Sequence, residues 1–134
     1  MPDYKSLIRR YNSELWNEWS TTAIEELLSP SIVFRGSIGT AVSGIEEFKQ
    51  YVNRIRAAFP DFDNHIDELI GESDKVVARL TYTGTHRGEL FGFSGTNKKI
   101  TYQGIAIFQF REGKIVSGYV LGDTESLKRQ IAQP

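Results

Sequence analysis

Residues 75–86, KVVARLTYTGTH, decide the fold. Val76, Ala78, Leu80 and Tyr82 alternate with Val77, Arg79, Thr81 and Thr83, apolar against mostly polar at a period of two, as a half-buried strand requires. One face of this strand is expected to lie against protein. Residues 99–110, KITYQGIAIFQF, are rich in β-branched and aromatic side chains, and after Arg111-Glu112-Gly113-Lys114 the chain resumes with IVSGYVLG, which predicts a tight hairpin. The stretch from Lys75 to Asp123 therefore reads as three consecutive antiparallel strands.

The remaining elements are placed around this sheet. Leu7, Ile8, Tyr11, Leu15, Trp16 and Trp19 recur at three- and four-residue spacing and predict an amphipathic helix from Asp3 to Trp19, with Pro2 and Asp3 as start signals. Thr21 or Thr22 is expected to cap a second short helix through Leu28, with Glu25 or Glu26 completing a capping box and Ser29-Pro30 ending it. Ile32 to Arg35 reads as a short strand, and GSIGTAVSG as a turn or loop. A helix follows from Ile45 to Phe59, with Phe48, Val52, Ile55 and Phe59 on one face and Pro60 as its stop. Phe62 to Glu72 reads as a strand. Asp123 or Thr124 is expected to cap a last helix through Ala132.

This order predicts an α+β domain over residues 1–134, a curved antiparallel sheet wrapped over a long N-terminal helix with a conical cavity between them. Gly84, Gly104, Gly118 and Gly122 fall inside the strands, where glycine marks either a bulge or space left for a ligand.

Composition narrows the function. A chain of 134 residues with 40% hydrophobic content builds one core without staples, and with no cysteine it has neither disulfides nor a thiol nucleophile. A net charge of -1, spread evenly, leaves no electrostatic footprint for nucleic acid or an anionic membrane. The segment MPDYKSLIRRY carries no apolar run of the length a leader or span needs, so the expectation is a soluble, cytoplasmic protein whose partners are a small molecule and a second copy of itself. GSIGTAVSG lacks the lysine and spacing of a phosphate-binding loop, and there is no nucleophile elbow.

Three segments carry a resemblance: FPDF (Phe59–Phe62), DKVVARLTYTGTHRGELFGF (Asp74–Phe93) and FREGKIV (Phe110–Val116), followed by Asp123 and the LKRQI ending. The chain resembles the SnoaL-like polyketide cyclases, on the ester cyclase-like branch of the nuclear-transport-factor-two-like superfamily. That resemblance implies a cone-shaped α+β barrel, dimeric, closing polyketide rings by intramolecular aldol condensation without metal or organic cofactor. It also implies an aspartate on the last strand as acid and base, with a histidine on the preceding strand. Aligned on Gly113-Lys114-Ile115, the acid's position holds Val120 and the histidine's holds Ala106, neither of which moves a proton. The base position of the ketosteroid isomerases, which share the fold, aligns with Arg35, a permanent cation.

Other polar groups remain as candidates. His86 extends the Leu80, Tyr82 and Gly84 face toward the cavity, where an imidazole serves as acid, base or orienter, or else simply bonds to backbone at a strand end. If Glu112-Gly113 is a two-residue turn and the ladder is unbroken, Tyr102 faces Asp123 and Ala106 faces Tyr119; tyrosine plus carboxylate would make a proton-transfer or oxyanion pair. A bulge would flip that parity, and Asp123 as a helix cap is the competing reading. Asp61, Asp63, His65 and Asp67 alternate on one face, either as metal ligands or, as preferred here, as a solvated surface without metal. Arg79 is read as a surface ion-pair partner. Tyr11, Trp16, Trp19 and Tyr51, with Tyr82, Ala106 and Val120, are candidates to line the cavity.

Three readings follow. One is an enzyme, a cyclase, isomerase or hydrolase run by His86, Tyr102 and Asp123 on a small apolar oxygenated molecule. Another is a binding module that keeps the pocket without the acid. The last is a homodimeric scaffold whose cavity is filled by its own aromatic side chains.

Overall fold

The computed structural model describes residues 3–133, and Pro2, expected as a helix start signal, lies outside them. Asp3 caps helix α1 (Tyr4–Arg10), its carboxylate accepting from the Ser6 N–H at 3.1 Å. The helix runs on as a π-helical stretch, Tyr11–Asn17, which buries Tyr11, Asn12, Leu15 and Trp16. It ends two residues short of Trp19, whose φ of 59° is left-handed.

Ser20, not Thr21 or Thr22, caps helix α2 (Thr21–Leu27), accepting from the Ala23 N–H at 3.2 Å. Residue Ala23 then occupies the position a capping box would give to glutamate, and Glu26 pairs instead with Arg10 at 2.8 Å. The helix passes directly into strand β1 (Leu28–Arg35). Ser29-Pro30 therefore lies inside a strand that was expected to begin at Ile32. Proline is tolerated because the pairing of β1 is interrupted between Leu28 and Val33, where no ladder hydrogen bond is required of it. Part of the expected GSIGTAVSG loop is ordered as strand β2 (Ala41–Ser43), antiparallel to β1. Helix α3 (Ile45–Ala58) lays Phe48, Tyr51, Val52 and Ile55 on the core.

Strands β3 (Asp63–Glu72), β4 (Lys75–Thr85), β5 (Lys99–Arg111) and β6 (Lys114–Gly122) form the antiparallel meander, and helix α4 (Thr124–Ala132) closes the chain. The six strands make one curved sheet in the order β2-β1-β6-β5-β4-β3, with β1 parallel to β6. The alternation read in β4 is the one observed: Val76, Ala78, Leu80 and Tyr82 are all buried. Ile100, Tyr102, Ala106, Phe108 and Phe110 of β5 join them on the inner face.

The β5–β6 turn is the two-residue turn expected, with φ of 53° at Glu112 and 79° at Gly113, the type I′ pattern whose twist suits a hairpin. The ladder above it is broken. Phe110 pairs with Ile115 but Gln109 pairs with Ser117, so Val116 is bulged out. Beyond the bulge Ala106 faces Val120 rather than Tyr119.

The strand glycines neither mark bulges nor leave a void. Three of them accommodate an aromatic side chain: a Cβ at Gly104 would stand 2.9 Å from the Tyr82 ring, at Gly118 2.8 Å from Phe34, and at Gly84 3.0 Å from Phe59. Gly122 instead takes the Ser37 carbonyl.

Candidate binding cavity

The inner face of the sheet is a stack of rungs. Ala78, Ala106 and Val120 form an apolar rung, and next to the Leu80–Gly104–Gly122 rung comes a polar one, Asn64–Tyr82–Tyr102, running across β3, β4 and β5. The cavity lies over this transition. It is lined by Tyr11, Trp16, Phe34, Ser37, Tyr51, Phe62, Asn64, Tyr82 and Val120, together with Ile55, Leu80 and Phe108. Its free volume is about 20 Å³, room for one water.

Two kinds of polar group meet there. The loop between β1 and β2 presents Ser37, whose hydroxyl bonds the Tyr102 hydroxyl at 2.8 Å. Tyr51 reaches the same loop from α3, its hydroxyl lying 1.9 Å from where a Cβ on Gly36 would stand, so only glycine permits that approach. On the other side, the Asn12 and Asn17 amides both donate to the Asn64 carbonyl at 3.2 Å, and Asn17 accepts from the Asn64 N–H at 2.7 Å. These asparagines fasten the π-helical stretch to the start of β3. The Asn64 Oδ1 and Tyr11 Oη atoms, in two buried residues that line the cavity, have no hydrogen-bond partner among the described residues.

Among the described residues, no carboxylate, imidazole, lysine or arginine lines the cavity. Its phenols are neutral donors: burial pushes the pKa values of Tyr11 and Tyr82 well up, as it does for Tyr102, which bonds Ser37 without lining the cavity. Tyr51 is pushed up to about 12 by the same cause, which the Ser37 hydroxyl and Ile38 amide only partly offset.

The residues predicted as a catalytic set are not brought together. His86 is fully buried at the end of β4 but does not line the cavity, because the loop after it folds over the ring. Asp123 is exposed and caps α4, accepting from the Ser126 N–H at 3.0 Å, while its own N–H bonds Gln103. The expected facing of Tyr102 and Asp123 does not occur, since the Val116 bulge shifts the register by one. Of the expected lining residues, Trp16, Tyr51, Tyr82 and Val120 reach the cavity. Ala106 is buried beside Val120 without reaching it, and Trp19 lies in a separate surface cleft beneath Arg56. Arg35, at the position aligned with an isomerase base, bonds the Val120 carbonyl and stacks on Tyr119.

The acidic row of β3 also separates. Asp61 lies before the strand and accepts from the Thr85 N–H and hydroxyl, both at 2.7 Å. Asp67 sits at a register shift and bonds Thr81 at 2.6 Å, with Arg79 3.8 Å away. Among the described residues no group of three or more His, Cys, Asp or Glu could hold a metal ion. Ser37, Asn12 and Asn64 escaped the sequence reading; single polar residues in a glycine-rich loop, a helix and a strand carry no periodic signal.

A curved sheet closed by helices over an aromatic cavity defines this as an α+β cone protein. The chain belongs to the SnoaL-like polyketide cyclase family, whose sequence model matches residues 6–131. It is 27% identical over 124 residues, 90% of this chain and 85% of the relative, to aklanonic acid methyl ester cyclase AcmA of Streptomyces galilaeus. Among solved structures, a SnoaL-like protein of Jannaschia sp. CCS1 superposes with a TM-score of 0.88 at 19% identity, covering 97% of this chain and 92% of that one. TsrD of Streptomyces laurentii superposes with a TM-score of 0.86 at 23% identity, covering 96% and 94%. No helix among the described residues is long and apolar enough to cross a membrane.

Proposed function

We propose that this chain binds a small, apolar, oxygen-bearing molecule in the cone, as a binding member of its family rather than an acid–base cyclase. The observation that carries this reading is the pair of buried polar atoms, Tyr11 Oη and Asn64 Oδ1, left unpartnered among the described residues on two side chains that line one cavity. Each such atom costs about 1–3 kcal/mol when left unsatisfied, and a ligand oxygen or hydroxyl would remove that cost. A relative named for a methyl ester supports a neutral, oxygenated ligand, as does a wall without charge. The absence of an acid or base on that wall, with Val120 and Ala106 where the family's proton-moving groups align, favours binding over turnover. Because the free volume holds one water, entry requires some of the lining rings to swing aside.

Native mass spectrometry of protein purified from its own host tests this reading. A stoichiometric neutral adduct that is lost in Asn64→Leu is the expected result; an adduct-free wild-type protein that also fails to take up neutral aromatic alcohols and ketones overturns it.

A second proposal concerns assembly. Ile105 and Ile107 of β5 stand opposite Leu121 and Tyr119 of β6 on the outer face, with Val33 of β1 also outward, each 44–61% exposed. A contiguous apolar patch on the outer face of the sheet, with Arg35 stacked on Tyr119 at its margin, has the aromatic, aliphatic and arginine composition of an interface core and suits a second copy of the chain.

A further inference from the structure

His86 pins the loop that follows it. The ring is fully buried, and residues 87–98 fold back so that the His86 N–H donates to the Lys98 carbonyl at 2.9 Å and the Asn97 N–H to the His86 carbonyl at 2.8 Å. Nδ1 faces two groups of one residue, the Thr96 hydroxyl at 3.0 Å and the Thr96 backbone N–H at 3.3 Å. The Thr96 oxygen accepts from the Lys98 N–H at 3.4 Å and its hydroxyl can face the imidazole in either sense, but the Thr96 backbone N–H can only donate, and it is this group that requires Nδ1 to accept. A ring nitrogen that accepts carries no proton, so this arrangement belongs to the neutral imidazole with its hydrogen on Nε2. That nitrogen has no hydrogen-bond partner among the described residues.

The pinned ring is two side chains from the cavity. Phe59 lies 6.0 Å from His86 between ring centroids, Phe62 lies 6.1 Å from Phe59, and Phe62 is a cavity wall stacked on Tyr82 at 5.5 Å. Elsewhere the loop is held by the Arg87 and Gly88 N–H groups on the Ala58 carbonyl, at 2.8 and 3.3 Å, and by fully buried Leu90.

We propose that His86 is a pH-dependent latch: a proton on Nδ1 would set two N–H donors face to face, release the loop at Thr96, and free Phe59 and Phe62 to open the cavity. This rests on the reading of that cavity as a ligand site. Burial holds the ring below the ordinary histidine range, and the Gly88 backbone and the Glu89 charge, which favour the protonated ring, only partly offset it, so release belongs below that range. The other charges nearby are engaged. Asp61 holds Thr85, Arg87 bonds Asn97 at 3.1 Å, Lys98 reaches the Gln130 carbonyl at 3.4 Å, and Lys128 lies over Phe91. Helix α3 brings Ala57 and Ala58 to this end, with Phe59 at its C-cap, none of them charged.

The test follows amide exchange of residues 87–98, corrected for intrinsic rates, and binding of the neutral fluorophore N-phenylnaphthylamine, from about pH 8 to about pH 4.5. Wild type is expected to lose protection by roughly tenfold or more while probe affinity rises in parallel. His86→Asn, whose amide oxygen accepts from Thr96 at every pH, should show neither change. Equal loss in both proteins, or none in wild type, overturns the latch. Should His86→Asn not fold, the wild-type His86 imidazole resonance decides: its titration must coincide with the loss of Thr96 protection, and separated midpoints overturn the proposal. Probe binding that ignores pH leaves the ligand reading standing and removes the latch. Loop release without probe uptake at any pH removes the ligand reading and, with it, the coupling to the cavity.

Discussion

Ala106 and Val120 face each other across β5 and β6 on the inner wall of the cone, because one residue, Val116, is bulged out below them. These are the positions where the family resemblance sets a histidine and an acid. In this chain the pair is a methyl and an isopropyl group, 0% and 3% exposed. Val120→Asp would bury a carboxylate at that point, where desolvation raises its pKa. The variant is expected to lose roughly 2 kcal/mol or more of stability near pH 8 and less near pH 5, where the carboxyl is protonated. Urea unfolding at the two pH values checks this; an equal loss at both would mean that water reaches Val120.

Tyr11→Phe and Tyr102→Phe remove one hydroxyl each from the same region with opposite expectations. The Tyr11 hydroxyl is unpartnered, so its removal should leave the empty protein unchanged or stabilise it by about 1 kcal/mol. The Tyr102 hydroxyl is bonded to Ser37, so its removal should destabilise by about 1 kcal/mol. Thermal unfolding of the two variants side by side separates them.

How far the site was legible in the sequence follows from these same residues. The inward row of β4 was legible because alternation survives wherever one face is buried, and the Glu112-Gly113 turn because left-handed backbone selects its residues. The Val116 bulge was not, since an unpaired strand residue needs no special side chain, yet it decides which of Tyr119 and Val120 looks inward. That single slip also invented the Tyr102–Asp123 pair. His86 was read on the correct face, but its cover was hidden, because the Thr96 groups that hold it arrive ten residues later through a loop with no periodicity.

Buried neutral His86 makes stability depend on pH. With its folded pKa lowered by burial, the unfolded chain takes up the proton first. Stability is therefore complete above about 6.5 and declines as pH falls from there toward the lowered folded value. Asp61, held below its ordinary 3.8 by Thr85, adds its loss only at lower pH. Urea midpoints should decline through the first window in wild type and stay level in His86→Asn.

Gly36→Ala would place a methyl 1.9 Å from the Tyr51 hydroxyl and 2.1 Å from Cζ, inside the ring's own volume. A cost of roughly 1–3 kcal/mol is expected from overpacking. Tyr51→Leu, which withdraws the ring tip, should recover part of it in the double variant, as a thermodynamic cycle of unfolding free energies would show.

Leu121→Glu puts a charge in the outer apolar patch, where the side chain is 61% exposed in a single copy. Light scattering should give about twice the chain mass for wild type and the single-chain mass for the variant, with an unchanged unfolding profile at low concentration.

The bulge at Val116 carries a last consequence. Drawing Val116 back into the ladder opposite Gln109 would turn over the rest of β6: Tyr119 and Leu121 would swing into the cone, and Gly118 and Val120 would turn to solvent. A phenol would then stand opposite Ala106, and the outer patch would shed two of its largest members. Lining chemistry and self-association are thus geared to the same backbone unit: excising Val116 keeps both, because Ser117 already faces Gln109, whereas flattening the bulge with every residue retained resets both together.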